Sequence, residues 1–121
     1  MTMSNRNLPN DVIVRKPLLT AILDPGKATS RIEIKEIEFR PGQATGLHVH
    51  LGPVVGYITK GAAAFQVEGQ LLNTLHAGDA FFEPANTKIL HFDNASSTEP
   101  MTFIAFYLLD NNEHELIRML E

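Results

Sequence analysis

The sequence contains no cysteine and no tryptophan, and it has neither a long hydrophobic run nor a cluster of basic residues. Without cysteine, disulfides, thiolate nucleophiles and zinc–thiolate sites are excluded, so a bound metal would need histidine, carboxylate, amide or water ligands. The net charge of −4, with charges of both signs interspersed, indicates no nucleic-acid partner. The N-terminus lacks the apolar core of a signal peptide, and no segment approaches the ~18 apolar residues of a membrane span. We therefore expect a cytoplasmic protein with no membrane partner.

Turn residues recur at short intervals and separate runs rich in Val, Ile, Phe, Leu and Thr. Breaks at about every 8 to 12 positions are typical of an all-β sandwich or barrel, and the runs are numerous enough for a jelly roll. In the run RIEIKEIEF, 31–39, the apolar residues change parity, which predicts a β-bulge near Lys35 and Glu36. The last residues, DNNEHELIRML, have apolar positions at helical spacing and predict a short closing helix.

One domain is expected from the length of 121 residues. We expect an N-terminal arm and first strand over 1–30, the β-barrel over 31–109 and the C-terminal helix over 110–121.

Two of the five histidines, His48 and His50, lie one residue apart in the stretch GLHVH. On a β-strand they face the same way with Cα atoms ~6.5 Å apart, where two imidazoles can share a metal ion. The same spacing also fits two ordinary polar residues on a solvent-facing strand. The pair by itself leaves both interpretations open.

The stretch PGQATGLHVHLGPVVGYITKG resembles the first motif of the cupin superfamily, in which a glycine precedes His-x-His, a glutamate and a second glycine. The residues that match it are Gly42, His48, His50 and Gly61. The stretch AGDAFFEPANTKILHFDN resembles the second motif and matches it at Gly78 and Pro84. The resemblance is to small single-domain cupins and covers Ile32 to Leu109. It implies a double-stranded β-helix, that is, a jelly-roll barrel with a metal-binding cavity, and a homodimer in which residues 11–23 add a strand across the interface.

Two ligand positions differ from the motifs: the glutamate would fall at Val54 and the second-motif histidine at Ile89. His91 lies two residues beyond position 89 and would face the same way, so a local bulge would complete a metal site of His48, His50 and His91. Such a site resembles the three-histidine centres of cupin dioxygenases that act on β-diketones or thiols. The resemblance implies a divalent transition metal, iron(II) first, with manganese, nickel, zinc or copper as alternatives. Gln43 is a candidate for a fourth ligand.

The absence of a side chain at Gly56, on the face of Val54, predicts room beside the histidine pair. The residues expected to line a cavity there are Val54, Gly56, Ile58, Phe81, Glu83, Ile89 and Phe103. Glu83 would serve as an acid or base if burial raises its pKa, or else lie in solvent as an ordinary strand-end carboxylate. A mainly apolar cavity predicts a small-molecule ligand that is neutral or weakly anionic.

Two functions remain open from the sequence. One is a metal-dependent enzyme with dioxygenase-like activity, whose catalytic residues the sequence does not assign. The alternative is a non-catalytic cupin that binds a small molecule and whose degenerate site holds no metal.

Overall fold

A computed structural model describes residues 12–120 and shows two antiparallel sheets that pack face to face. The strands are β1 (Arg31–Phe39), β2 (His48–Val49), β3 (Val54–Lys60), β4 (Ala62–Val67), β5 (Asn73–His76), β6 (Ala80–Glu83), β7 (Ile89–Asn94), β8 (Met101–Leu109) and β9 (Arg118–Met119). One sheet has the order β1-β8-β3-β6 and the other has the order β5-β4-β7-β2-β9. The predicted all-β jelly-roll barrel is confirmed. Residues 12–30 contain a turn at 25–26 and no strand.

The predicted bulge in β1 is wrong. β1 pairs with β8 in unbroken register, from Arg31 opposite Leu109 to Phe39 opposite Met101. The change of apolar parity instead places Ile37 and Phe39 against the core and leaves Ile32 and Ile34 on the outer face, 56% and 62% exposed. The outer apolar pair is therefore accommodated by exposure rather than by a kink in the strand.

The core lies between the two sheets and is rich in phenylalanine. The rings of Phe92 and Phe103 have centroids 4.7 Å apart, and those of Phe81 and Phe92 are 5.0 Å apart. Gly56 allows this packing, because a Cβ atom at that position would collide with the carbonyl oxygen of Ile104 and lie 2.8 Å from the Phe81 ring. The space at Gly56 is thus filled by the ring of Phe81.

The predicted C-terminal helix is also wrong. Residues after β8 form a turn and then β9, which pairs with β2 at His48–Met119 and Val49–Arg118. The strand covers an edge of β2 that would otherwise have unpaired backbone groups. Glu113, which accepts hydrogen bonds from the backbone of Asp110 and from Lys27, holds the preceding turn. These tertiary contacts outweigh the weak helical preference of so short a segment.

Within residues 12–120 there is no helix that has the length and apolar character to cross a membrane.

Candidate metal centre

His48 and His50 lie side by side under the C-terminal segment. His48 is in β2, between Ile89 of β7 and Met119 of β9, and His50 follows directly after the strand. Both side chains are buried, with 2% and 4% of the residue exposed. The two imidazole rings have centroids 4.9 Å apart. The histidine pair predicted to share a strand face is therefore an internal pair.

Backbone carbonyls fix the orientation of both imidazoles. Nδ1 of His48 lies 2.7 Å from the carbonyl oxygen of Gly46, and Nδ1 of His50 lies 2.6 Å from that of Leu116. A carbonyl oxygen only accepts hydrogen bonds, so each Nδ1 carries the proton and donates it. In the neutral ring the lone pair is then on Nε2, which is the arrangement found in metal-ligating histidines.

Glu83 brings a carboxylate to the same place from β6. Its Oε1 lies 2.8 Å from Nε2 of His50, and the residue is 3% exposed. The two atoms are in contact without hydrogen-bond alignment, and Nε2 of His50 and Oε2 of Glu83 have no hydrogen-bond partner among the described residues. Buried polar groups are rarely left unpaired in this way.

The ligand atoms of His48, His50 and Glu83 all lie within 4.8 Å of one another. We call these three residues the His-His-Glu cluster. Two imidazoles that have their lone pairs on Nε2 in the neutral form, together with a carboxylate, fit the donor set of a divalent transition metal.

The electrostatics of the two histidines differ. Burial lowers the pKa of His48, and its hydrogen bond to Gly46 only partly offsets this effect. Burial acts on His50 in the same direction, but the carboxylate of Glu83 outweighs it and the pKa of His50 is raised. Burial, together with the charge of Glu83, also raises the pKa of Tyr107 to about 12, so this phenol is neutral at physiological pH.

A cavity of about 200 Å³ adjoins the histidine pair. Its lining residues are Ile37, Phe39, Thr45, His48, His50, Val54, Phe81, Phe92, Phe103, Ala105, Tyr107 and Ile117. We call it the aromatic cavity. Ile117, which is 36% exposed, lies on its solvent side.

A family model described as "Cupin domain" matches residues 35–107. The chain belongs to the cupin family.

Solved cupin structures share its fold at low identity. A cupin-like protein from Thermotoga maritima is 24% identical with a TM-score of 0.62, and the match covers 74% of this chain and 64% of that chain. The DMSP lyase DddQ from Ruegeria pomeroyi is 19% identical with a TM-score of 0.62, over 74% of this chain and 43% of that one. An oxalate oxidase in complex with glycolate is 18% identical with a TM-score of 0.59, over 74% and 46%. This cupin thus spans less than two thirds of the length of each, and these likenesses show the fold alone. No curated protein matches the sequence.

In this cupin the carboxylate lies on β6, whereas the first motif would place it on β3. The motif glutamate would stand at position 54, and Val54 is paired directly with Glu83 across β3 and β6. Cross-strand partners have Cβ atoms about 4.5–5.5 Å apart on one face, so either position can present a carboxylate to the histidines. The sequence predicts Glu83 on the cavity wall but does not mark it as a ligand, because the pairing of Val54 with Glu83 cannot be read from motif spacing.

His91 does not reach the cluster. β4 and β7 change register between Gln66–His91 and Val67–Ile89, so Leu90 is an extra residue in β7. This bulge reverses the side-chain alternation and turns His91 outward, where its Nδ1 donates to Asp93 at 2.9 Å with the imidazole 49% exposed. The bulge was expected to bring His91 inward and has the opposite effect.

The other residues expected around the site divide into two groups. Val54, Phe81 and Phe103 line the aromatic cavity, and Glu83 belongs to the cluster. Ile58 and Ile89 are fully buried in the core, and Gly56 is covered by Phe81. The side chain of Gln43 is on an exposed loop, where it accepts a hydrogen bond from the backbone of Arg40.

The turn after β6 supports His50 directly. Asn86 has a φ of 55°, in the left-handed region that asparagine tolerates better than most residues. Its backbone N–H donates to the carbonyl oxygen of His50 at 2.7 Å. The turn therefore helps to hold His50 in place without a glycine.

Proposed function

We propose that this cupin binds a divalent transition metal through His48, His50 and Glu83 and uses it on a small molecule held in the aromatic cavity. The observation that carries the proposal is the convergence of three buried donor side chains, in which Nε2 of His50 and Oε2 of Glu83 have no hydrogen-bond partner among the described residues. Two histidines and one carboxylate with open positions are the ligand set of non-haem iron(II) oxygenases, which makes iron(II) our first choice. Manganese, nickel, zinc and copper are the alternatives.

The chain's own residues prepare the site. Gly46 and Leu116 orient the imidazoles through their carbonyls, and mainly apolar residues line the adjoining cavity. When bound, the metal would supply Lewis-acid or one-electron chemistry. Dioxygenase-like activity is our favoured reaction, although cupin-fold structures include both a DMSP lyase and an oxalate oxidase.

A second candidate is a metal-free binding protein. The 2.8 Å approach of His50 Nε2 to Glu83 Oε1 favours it, because protonation of this imidazole would give an internal ion pair that fills the site without a metal. The raised pKa of His50 acts in the same direction. The aromatic cavity would then bind its ligand without catalysis.

Metal content separates the two candidates. The protein would be loaded with each of the five metals in turn, dialysed against a weak chelator and analysed for metal per chain. The same measurement on His48→Ala and Glu83→Gln tests the proposed ligands, and His91→Ala is the control because that imidazole faces solvent.

We expect about one metal per chain in the wild type and in His91→Ala, and a loss of about tenfold or more in affinity in the other two variants. Loss of metal in His91→Ala with retention in Glu83→Gln would instead support the ligand set of three histidines. A wild type that takes up none of the five metals would overturn the proposal in favour of the metal-free candidate.

We also propose that the chain forms a homodimer through the outer face of the β1-β8-β3-β6 sheet. Ile32 and Ile34 are exposed there, and the apolar residues Val12, Ile13 and Val14 of the N-terminal segment are more than half exposed. An exposed apolar area of this kind is typical of an interface. The cytoplasmic location remains a prediction.

A further inference from the structure

The aromatic cavity has a size and composition that restrict what can enter it. Its volume is about 200 Å³, and four of its twelve lining residues are phenylalanines: Phe39, Phe81, Phe92 and Phe103. For comparison, an engineered protein cavity of about 150 Å³ lined by Leu, Ile and Phe binds benzene. The space therefore fits one ring or a short branched chain with a small substituent.

The polar groups of the cavity are few and lie near the cluster. Apart from the two histidines, only Thr45 and Tyr107 among the described lining residues have a polar side chain, and no lysine or arginine is present. Thr45 donates its hydroxyl hydrogen to the carbonyl oxygen of Phe92. This leaves the hydroxyl of Tyr107, whose ring centroid is 5.9 Å from that of His50, to meet a ligand.

We propose that the aromatic cavity takes a neutral molecule of about benzene size, with its apolar body among the phenylalanine rings and one hydrogen-bond-accepting end at the Tyr107 hydroxyl. A charged group on the body would be buried without a counter-ion, which is costly. Val54 adds an apolar side chain to the wall of the cavity.

This inference rests on the proposed function for what happens at the polar end, but the apolar part of the site exists without a metal. Binding to the metal-free protein therefore tests the inference, and metal uptake tests the proposed function. Either can fail while the other stands.

The test compares toluene, benzyl alcohol and benzoate, which are similar in size and differ in polarity and charge. Dissociation constants would be measured by ligand-observed NMR on the full chain after chelator treatment. We expect toluene and benzyl alcohol to bind. We expect benzoate to bind at least about tenfold more weakly, because its carboxylate would be buried near that of Glu83, which lies beside His50 and Tyr107. Equal binding of benzoate, or no binding by any probe at millimolar concentration, would overturn the proposal.

Two variants locate the binding. Tyr107→Phe should weaken the binding of benzyl alcohol by about threefold to tenfold, which corresponds to the loss of one hydrogen bond, and leave the binding of toluene unchanged. Tyr57→Phe is the matched control, because Tyr57 is the only other tyrosine of the chain and is exposed on the outer sheet face. Ala105→Leu fills the cavity and should abolish binding of both neutral probes.

The circular dichroism spectrum checks that each variant is folded. If Tyr57→Phe weakens benzyl alcohol as much as Tyr107→Phe does, or if folded Ala105→Leu binds like the wild type, the probes bind elsewhere and the inference is wrong. If Ala105→Leu does not fold, two comparisons still test the inference: the neutral probes against benzoate, and Tyr107→Phe against Tyr57→Phe.

Discussion

Replacing Ile89 by histidine tests the geometry of the cluster by adding a donor. Ile89 is fully buried and lies directly opposite His48, at the position of the second-motif histidine. An imidazole there would have its Cβ atom about 4.5–5.5 Å from that of His48 on the same face. We expect Ile89→His to destabilise the metal-free protein and to strengthen metal binding.

The magnitudes follow from burial. Losing the burial of isoleucine costs about 1.5–3 kcal/mol, and burying ring nitrogens without partners costs about 1–3 kcal/mol. We therefore expect the free energy of unfolding of the metal-free protein to fall by about 4 kcal/mol. With an unfolding entropy of about 0.25 kcal/mol/K for a chain of 121 residues, the melting temperature should fall by about 16 °C. Free metal at about 1,000 times its dissociation constant contributes about 4.1 kcal/mol, which would restore nearly all of the loss.

The assay is thermal unfolding with and without metal, together with a competition measurement of metal affinity. Ile58→His is the matched control, because Ile58 is also fully buried but is paired with Phe103, away from the cluster. Ile58→His should be destabilised to a similar extent, and metal should raise its melting temperature no more than it raises that of the wild type. If metal stabilises both variants equally, or if Ile89→His gains no more than the wild type, position 89 is not beside a metal site and our reasoning fails.

Three further predictions concern the fold and the assembly. Phe103→Ala removes a ring from the centre of the aromatic cluster and should cost about 3–5 kcal/mol in urea-induced unfolding. Asn86→Gly should leave the stability nearly unchanged, whereas Asn86→Val should lower it by about 1–2 kcal/mol in the same assay, since a β-branched residue at φ 55° is strained. Ile34→Glu should convert the proposed dimer to a monomer in light scattering and leave the circular dichroism spectrum unchanged. An unchanged molar mass would show that this face is not the interface.

Local patterns were sufficient for the all-β class. Alternating apolar residues between Gly- and Pro-containing turns indicate a series of short strands, which is typical of a sandwich or barrel, and the resemblance to the cupin motifs selected the jelly-roll barrel. The pattern failed at the C-terminus, where apolar residues at helical spacing form β9 because His48 and Val49 offer a free strand edge. A preference worth a few tenths of a kcal/mol per residue cannot compete with backbone pairing to the rest of the barrel.

The site was less predictable because it depends on pairing between distant strands. His48 and His50 were identified from their spacing, since both lie in one short stretch. The position of His91 depends on whether β7 has one extra residue opposite β4, and a single bulge at Leu90 turns its side chain from one face to the other. Such a bulge leaves no mark in composition or periodicity.

The position of Glu83 explains how the proposed metal site would have a carboxylate ligand although the first motif lacks its glutamate. Val54 and Glu83 are paired on one face of β3 and β6, so a carboxylate on either strand reaches the same point beside His50. Placing it on β6 leaves Val54 free to extend the apolar wall of the aromatic cavity. The proposed donor set therefore depends on which strand positions are paired and not only on the spacing of residues along the sequence. A missing motif glutamate in a cupin should accordingly be sought on the neighbouring strand before the site is considered degenerate.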